Sequence, residues 1–152
     1  MRRALFALLT ALLLIGGLPA TTPLAQAGPA PERTEKRIIK LHNKARAAKG
    51  INRTLKANNC LDRFAERQAR RQARKTKLYH QDLSPVLRAC GMSVIGENVA
   101  YGYPTAGKVH RAWMASKEHR ANILKRKFNK IGVGMALSKE GVPYYAAVFG
   151  RR

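Results

Sequence analysis

Carboxylates are scarce in this sequence. Eight Asp and Glu stand against 30 Lys and Arg, a formal charge of +22. That excess goes beyond what solubility requires and predicts attraction to polyanions. Wall polymers, anionic lipid head groups and nucleic acid would all satisfy it, and charge alone does not choose among them. Cysteine is nearly absent too, with only Cys60 and Cys90. Neither belongs to a close ligand pair, which argues against a cysteine-built zinc site. Beyond the N-terminal segment no run is long and apolar enough to span a bilayer. Nothing identifies a buried Asp that would orient a histidine beside Ser116, which weakens a serine-triad reading.

The N-terminus reads as an export signal. Arg2 and Arg3 precede an apolar run from Ala4 to Leu18, the size of a signal-peptide core and short for a membrane span. Ala25-Gln26-Ala27 is a small-residue cleavage site, so residues 1–27 are assigned to a signal peptide. An uncleaved anchor ranks below secretion. Loss of Arg2 and Arg3 lowers the formal charge from +22 to +20. Residues 28–34 form a Pro-containing leader expected to be disordered, and residues 35–150 a single domain. Export into an oxidising compartment makes a Cys60–Cys90 disulfide the default, with two free thiols as the alternative.

Periodicity then places the elements. A helix is expected over Thr34 to Lys49, capped by Thr34, with Ile38, Leu41, Ala45 and Ala48 on its inner face and Gly50 as its stop. His42 lies beside that face and takes a packing role. Asn59 would cap a second helix over Cys60 to Lys77, with an apolar stripe of Leu61, Phe64, Ala65, Ala69 and Ala73. Arg63, Arg67, Arg70, Arg71 and Arg74 fall on another sector, a candidate polyanion-binding face. Lys77 to Ile95 has no sustained period and reads as loop. Thr105 and Ser116 cap two later helices. Ile131 to Leu137 and Pro143 to Phe149 alternate as a hairpin around Lys139-Glu140-Gly141. Gly132 and Gly134 leave one sheet face flat for a helix to approach. Helices followed by a hairpin make the class α+β.

The chemistry centres on Gly96-Glu97-Asn98-Val99-Ala100-Tyr101. A carboxylate inside a short apolar run needs a partner if buried. His80 and His119 are the candidate partners, with Asn122 on the His119 face one turn along. His119 sits in a first helical turn, where the dipole favours a neutral imidazole.

In chain order stand His42-Asn43 with Arg46, then His80, Gly96 to Ala100, and Trp113-Met114-x-Ser116. His119-Arg120-x-Asn122-Ile123-Leu124, Ile131 to Gly134 and Tyr145 to Gly150 follow. In this set and order the residues resemble the CAP superfamily, the group of cysteine-rich secretory proteins, antigen 5 and plant pathogenesis-related proteins, and most nearly its bacterial SCP-like members. The resemblance implies a three-layer α-β-α sandwich with a small antiparallel sheet. It also implies a pocket of two histidines and two carboxylates, which in some members holds a divalent metal such as zinc. His80, Glu97 and His119 match three of the four. Ser116 stands where the second acid usually falls, which would lower cation affinity. The resemblance thus implies a divalent metal such as zinc on His80 and His119, in a pocket of His80, Glu97, His119, Ser116 and Asn122.

Two functions are expected. One is a secreted, non-enzymatic binding module held on anionic envelope polymers or lipid head groups. The alternative is a metal-assisted extracellular hydrolase in which Glu97 activates water beside His80 and His119. Secretion argues against nucleic acid as the native target. Intact-mass measurement of the exported protein should give a chain beginning at Gly28, two hydrogens lighter than its reduced form. A start at Met1 would refute the processing.

Overall fold

The computed structural model describes residues 30–152, so the expected export signal over residues 1–27 lies outside the described residues. Pro31 opens α1 (Pro31–Ala48), where its missing N–H costs nothing. The helix thus begins within the expected leader, and Thr34 is not its cap. Thr34 is instead buried on the inner face with Ile38, His42 and Arg46, one residue every four. The expected face is rotated: Ala48 is exposed, and Leu41 and Ala45 are half-buried. Polar side chains can take the inward positions where contacts offset their desolvation, as they do for Arg46.

A two-residue strand, β1 (Lys56–Ala57), precedes α2 (Asn59–Lys75). The α2 cap is Asn58, not Asn59: its Oδ1 accepts from the Leu61 N–H at 3.1 Å. Thr76, with φ 46, ends the helix two residues early. The stretch read as loop contains α3 (Ser84–Ala89), started by Pro85 and too short for a periodic signal. Then come β2 (Val94–Tyr101), α4 (Ala106–Ala115), α5 (Lys117–Leu124), β3 (Lys130–Leu137) and β4 (Pro143–Arg151). Thr105 and Ser116 cap α4 and α5 as expected, accepting from Lys108 and His119 N–H groups.

The sheet runs β1-β3-β4-β2. The β3–β4 hairpin and the β2–β4 pair are antiparallel, whereas β1 joins β3 in parallel, a departure from the all-antiparallel expectation. Two cores flank the sheet. Ile38, Val109, Trp113, Ile123 and Phe149 fill the side under α1, α4 and α5, and Leu61, Ala65, Val86, Val99 and Val148 the side under α2 and α3. The result is the three-layer α-β-α sandwich. Cys60 and Cys90 are bonded, tying the start of α2 to the end of α3. A closed loop of this length is worth roughly 3–4 kcal/mol in chain entropy.

α2 lies directly on the flat face of β3. A Cβ on Gly132 would fall within the Leu61–Asp62 backbone, and one on Gly134 within the Ala65–Glu66 backbone. Past β1, the open edge of β3 is covered by carboxylates. Asp62 Oδ1 accepts from Val133 N at 3.0 Å, and Glu35 Oε1 from Met135 N at 2.9 Å. Burial, with Glu66, Asp62 and Glu32 nearby, pushes the Glu35 carboxyl up to about 7 despite the Met135 bond. Because helix backbone must retreat to admit a methyl group at Gly134, Gly134→Ala should lower unfolding free energy by about 2–3 kcal/mol in chemical denaturation. An unchanged midpoint would contradict this packing.

Candidate functional site

Position 97 of β2 points to the α2 side of the sheet and 98 to the other, since Val99 and Ala100 belong to opposite cores. The Glu97 side chain is 1% exposed and fully engaged. Its Oε1 accepts from His80 Nδ1 at 2.8 Å and from the Gln81 N–H at 3.2 Å, and its Oε2 from Gln81 Nε2 at 2.6 Å. The His80 side chain is 60% exposed, so the ring held at Nδ1 remains open to solvent. Glu97 therefore orients His80.

α5 is bolted to β2 by two amides. Asn98 Nδ2 donates to His119 O at 3.0 Å, and Asn122 Nδ2 to Glu97 O at 3.1 Å and Asn98 Oδ1 at 2.9 Å. Asn122, expected in the pocket, is committed to this joint. It also lies against Gly96, where a Cβ would come within 3.0 Å of its Oδ1. Trp113 Nε1 donates to Val99 O at 3.1 Å and fixes α4 to the same strand.

These contacts enclose a cavity of about 250 Å³. Its walls are mostly apolar (Val99, Ala100, Tyr101, Tyr103, Trp113), with Ser116 and His119 supplying polar groups. Burial holds the His119 imidazole below its ordinary pKa, and nearby His80 adds to this while Glu118 opposes it. The Ser116 hydroxyl donates to Glu118 at 3.2 Å, so Glu118 turns to the cap rather than the cavity.

The structure thus brings His80 to Glu97, and Ser116 to His119. Among the described residues no three His, Cys, Asp or Glu side chains are grouped to hold an ion. The Glu97 oxygens already accept three N–H groups, and Ser116 offers no charge. This arrangement does not fit a three-ligand zinc centre.

The five α2 arginines are not equivalent. Arg63, Arg67 and Arg74 are exposed, and Arg67 lies over the Phe64 ring at 4.2 Å. Arg70 pairs with Glu66. Arg71 is half-buried and donates to Gln68 Oε1 at 3.1 Å and Gln81 Oε1 at 3.4 Å, which links the stripe to the Glu97 cluster.

Sequence reasoning missed Gln81, which has no motif beyond adjacency to His80, and His110. The Nδ1 atoms of His42 and His110 lie 2.9 Å apart, so one ring donates and the other accepts. Burial, then His110 and Arg46, hold His42 neutral down to about 3. His42 stacks on Phe149 and meets Trp113 edge-on, the packing role expected of it.

Residues 39–149 match the cysteine-rich secretory protein family, CAP. The chain is 36% identical over 109 residues to YkwD of Bacillus subtilis (strain 168), covering 66% of this chain and 41% of that protein. It therefore spans less than half the length of that relative. In structure it resembles an outer surface protein of Borrelia burgdorferi, with TM-score 0.70, 18% identity, and 77% and 91% of the two chains covered. It also resembles an extracellular SCP-domain protein of Bacillus anthracis, with TM-score 0.69, 19% identity, and 83% and 45% covered. At these identities the structural likenesses show the fold. Calorimetric zinc titrations of the wild type and His119→Ala should superimpose. A one-to-one site lost in the variant would overturn the geometric reading.

Proposed function

The chain belongs to the cysteine-rich secretory protein (CAP) family, and from that premise we propose a secreted, non-enzymatic binding module that anionic polymers or lipid head groups of the cell envelope retain by charge. The observation that carries this reading is where the carboxylates go. All eight are engaged within the fold. Glu35 and Asp62 cover the β3 edge, and Glu97 holds His80. Asp82 accepts from Ser84 N, and Glu118 and Glu140 meet the hydroxyls of Ser116 and Ser138. Only Glu32 and Glu66 pair with Lys or Arg among the described residues, through Lys36 and Arg70. Nearly every other Lys and Arg among them lacks a carboxylate partner within salt-bridge distance. Secretion is supported by the family, by the signal-like N-terminus and by the disulfide.

The cavity beside His119 suits a small ligand with an apolar body and one polar end. The hydrolase alternative has less support, because Glu97 would have to release three hydrogen bonds to act as a base.

Affinity of the purified protein for a polyanion should fall steeply as salt rises. Arg63→Glu, Arg67→Glu and Arg74→Glu together should weaken it and leave the circular dichroism spectrum unchanged. Affinity that is flat from low to high salt would remove the reading.

A further inference from the structure

At the end of the sheet away from the His119 cavity, two loops carry cations into one concave place. The loop after α1 supplies Arg53, and β1 supplies Lys56. The α5–β3 loop supplies Arg126 and Lys127, the start of β3 Lys130, and the end of β4 Arg151. They line two cavities of about 370 and 340 Å³ that share Asn52 and Arg53, and no Asp or Glu lines either.

The convergence is built in. Lys56 and Lys130 are register partners in the parallel β1–β3 pair, and Lys130 lies opposite Gly150, next to Arg151. Beneath them the fully buried Arg46 guanidinium donates to the carbonyls of Arg53, Ile123, Lys125 and Phe128, fixing both loops at once. Among the described residues no carboxylate pairs with Arg46, so its charge adds to the cleft. Burial, then the nearby Arg53 and Arg126, disfavour its charged form.

We propose that this cleft is a dedicated binding site for a linear, phosphate-bearing polymer, separate from both the α2 arginine face and the His119 cavity. It deepens the polyanion-binding reading and rests on it. Like charges held together on rigid strands and pinned loops repel one another, and a bound polyanion relieves that repulsion. Three arginines offer planar forks for phosphate oxygens, and three lysines act as point charges. A linear polymer can follow the concave path from one cavity into the next. A flat lipid surface cannot enter it. The exposed large apolar side chains, Leu78, Tyr101 and Leu137, are not among the residues that line it.

The test compares two triple variants with equal change of charge. One carries Arg53→Glu, Lys127→Glu and Arg151→Glu in the cleft, where no side-chain hydrogen bond is lost. The other carries Arg63→Glu, Arg67→Glu and Arg74→Glu on α2. The probes are labelled short-chain inorganic polyphosphate and mixed phosphatidylglycerol–phosphatidylcholine vesicles, with thermal midpoints checking folding. The cleft variant should lose polyphosphate affinity about tenfold more than the α2 variant does. Its slope of log affinity against log salt should fall by about three, one for each cation removed. Equal losses in the two variants would overturn the site and leave the general polyanion reading standing. So would a cleft variant that loses vesicle binding but keeps polyphosphate binding. A wild type that binds neither probe at low salt would end both readings. Should the charge-reversed cleft variant fail to fold, the Gln substitutions at the same three positions give the same contrast with a smaller loss.

Discussion

Much of one end of this fold hangs on the burial of Arg46. A guanidinium cannot shed its charge, so its removal from water has to be met by hydrogen bonds. Five are made, to four backbone carbonyls drawn from the Arg53 loop and the end of α5 onward. Those carbonyls would otherwise be unpaired loop and helix-end groups. Asn43 does similar work one turn earlier, where its amide donates to Leu55 O and accepts from Leu55 N. Thus α1, which carries both, holds together two segments distant in sequence and sets where β1 and β3 begin. Losing the Arg46 head group would leave several carbonyls buried without partners, a far larger penalty than any one bond's net contribution.

The few carboxylates follow the same economy. Where a partner is in short supply, the fold uses each acid on a backbone N–H or an orienting contact more often than on a cation. Asp62 and Glu35 close a strand edge that would otherwise invite pairing with another chain. The consequence for function is a surface of cations with little internal compensation. On the proposed reading, screening by salt would govern what that surface retains.

Glu97 shows how far a family pattern constrains chemistry. Its position in β2 and its burial are those expected of a pocket acid, and His80 does meet it. Yet Gln81 takes the remaining acceptor capacity, and Ser116 closes a helix cap and lines the cavity. The same backbone frame thus presents an oriented imidazole and a mainly apolar cavity.

The sequence by itself determined the class and much of the order. Helical spacing marked α1, α2, α4 and α5, alternation marked the β3–β4 hairpin, and two glycines announced the close approach of α2. The disulfide followed from two cysteines and the expectation of export. These are local signals, and local chemistry reads them. Tertiary structure decided the rest. Only the folded chain turned α1 so that Thr34, His42 and Arg46 face inward, and the partners of His42 and Arg46 lie on segments far along the sequence. Only the folded chain paired β1 with β3, since a two-residue parallel strand carries no periodicity. It also gathered Arg53, Arg126 and Arg151 into one cleft while leaving Arg63, Arg67 and Arg74 on another face. Charge at a distance in sequence has no local signature, so a count of cations gives the excess of positive charge, and only the packing of loops around Arg46 shows which of those cations are gathered together.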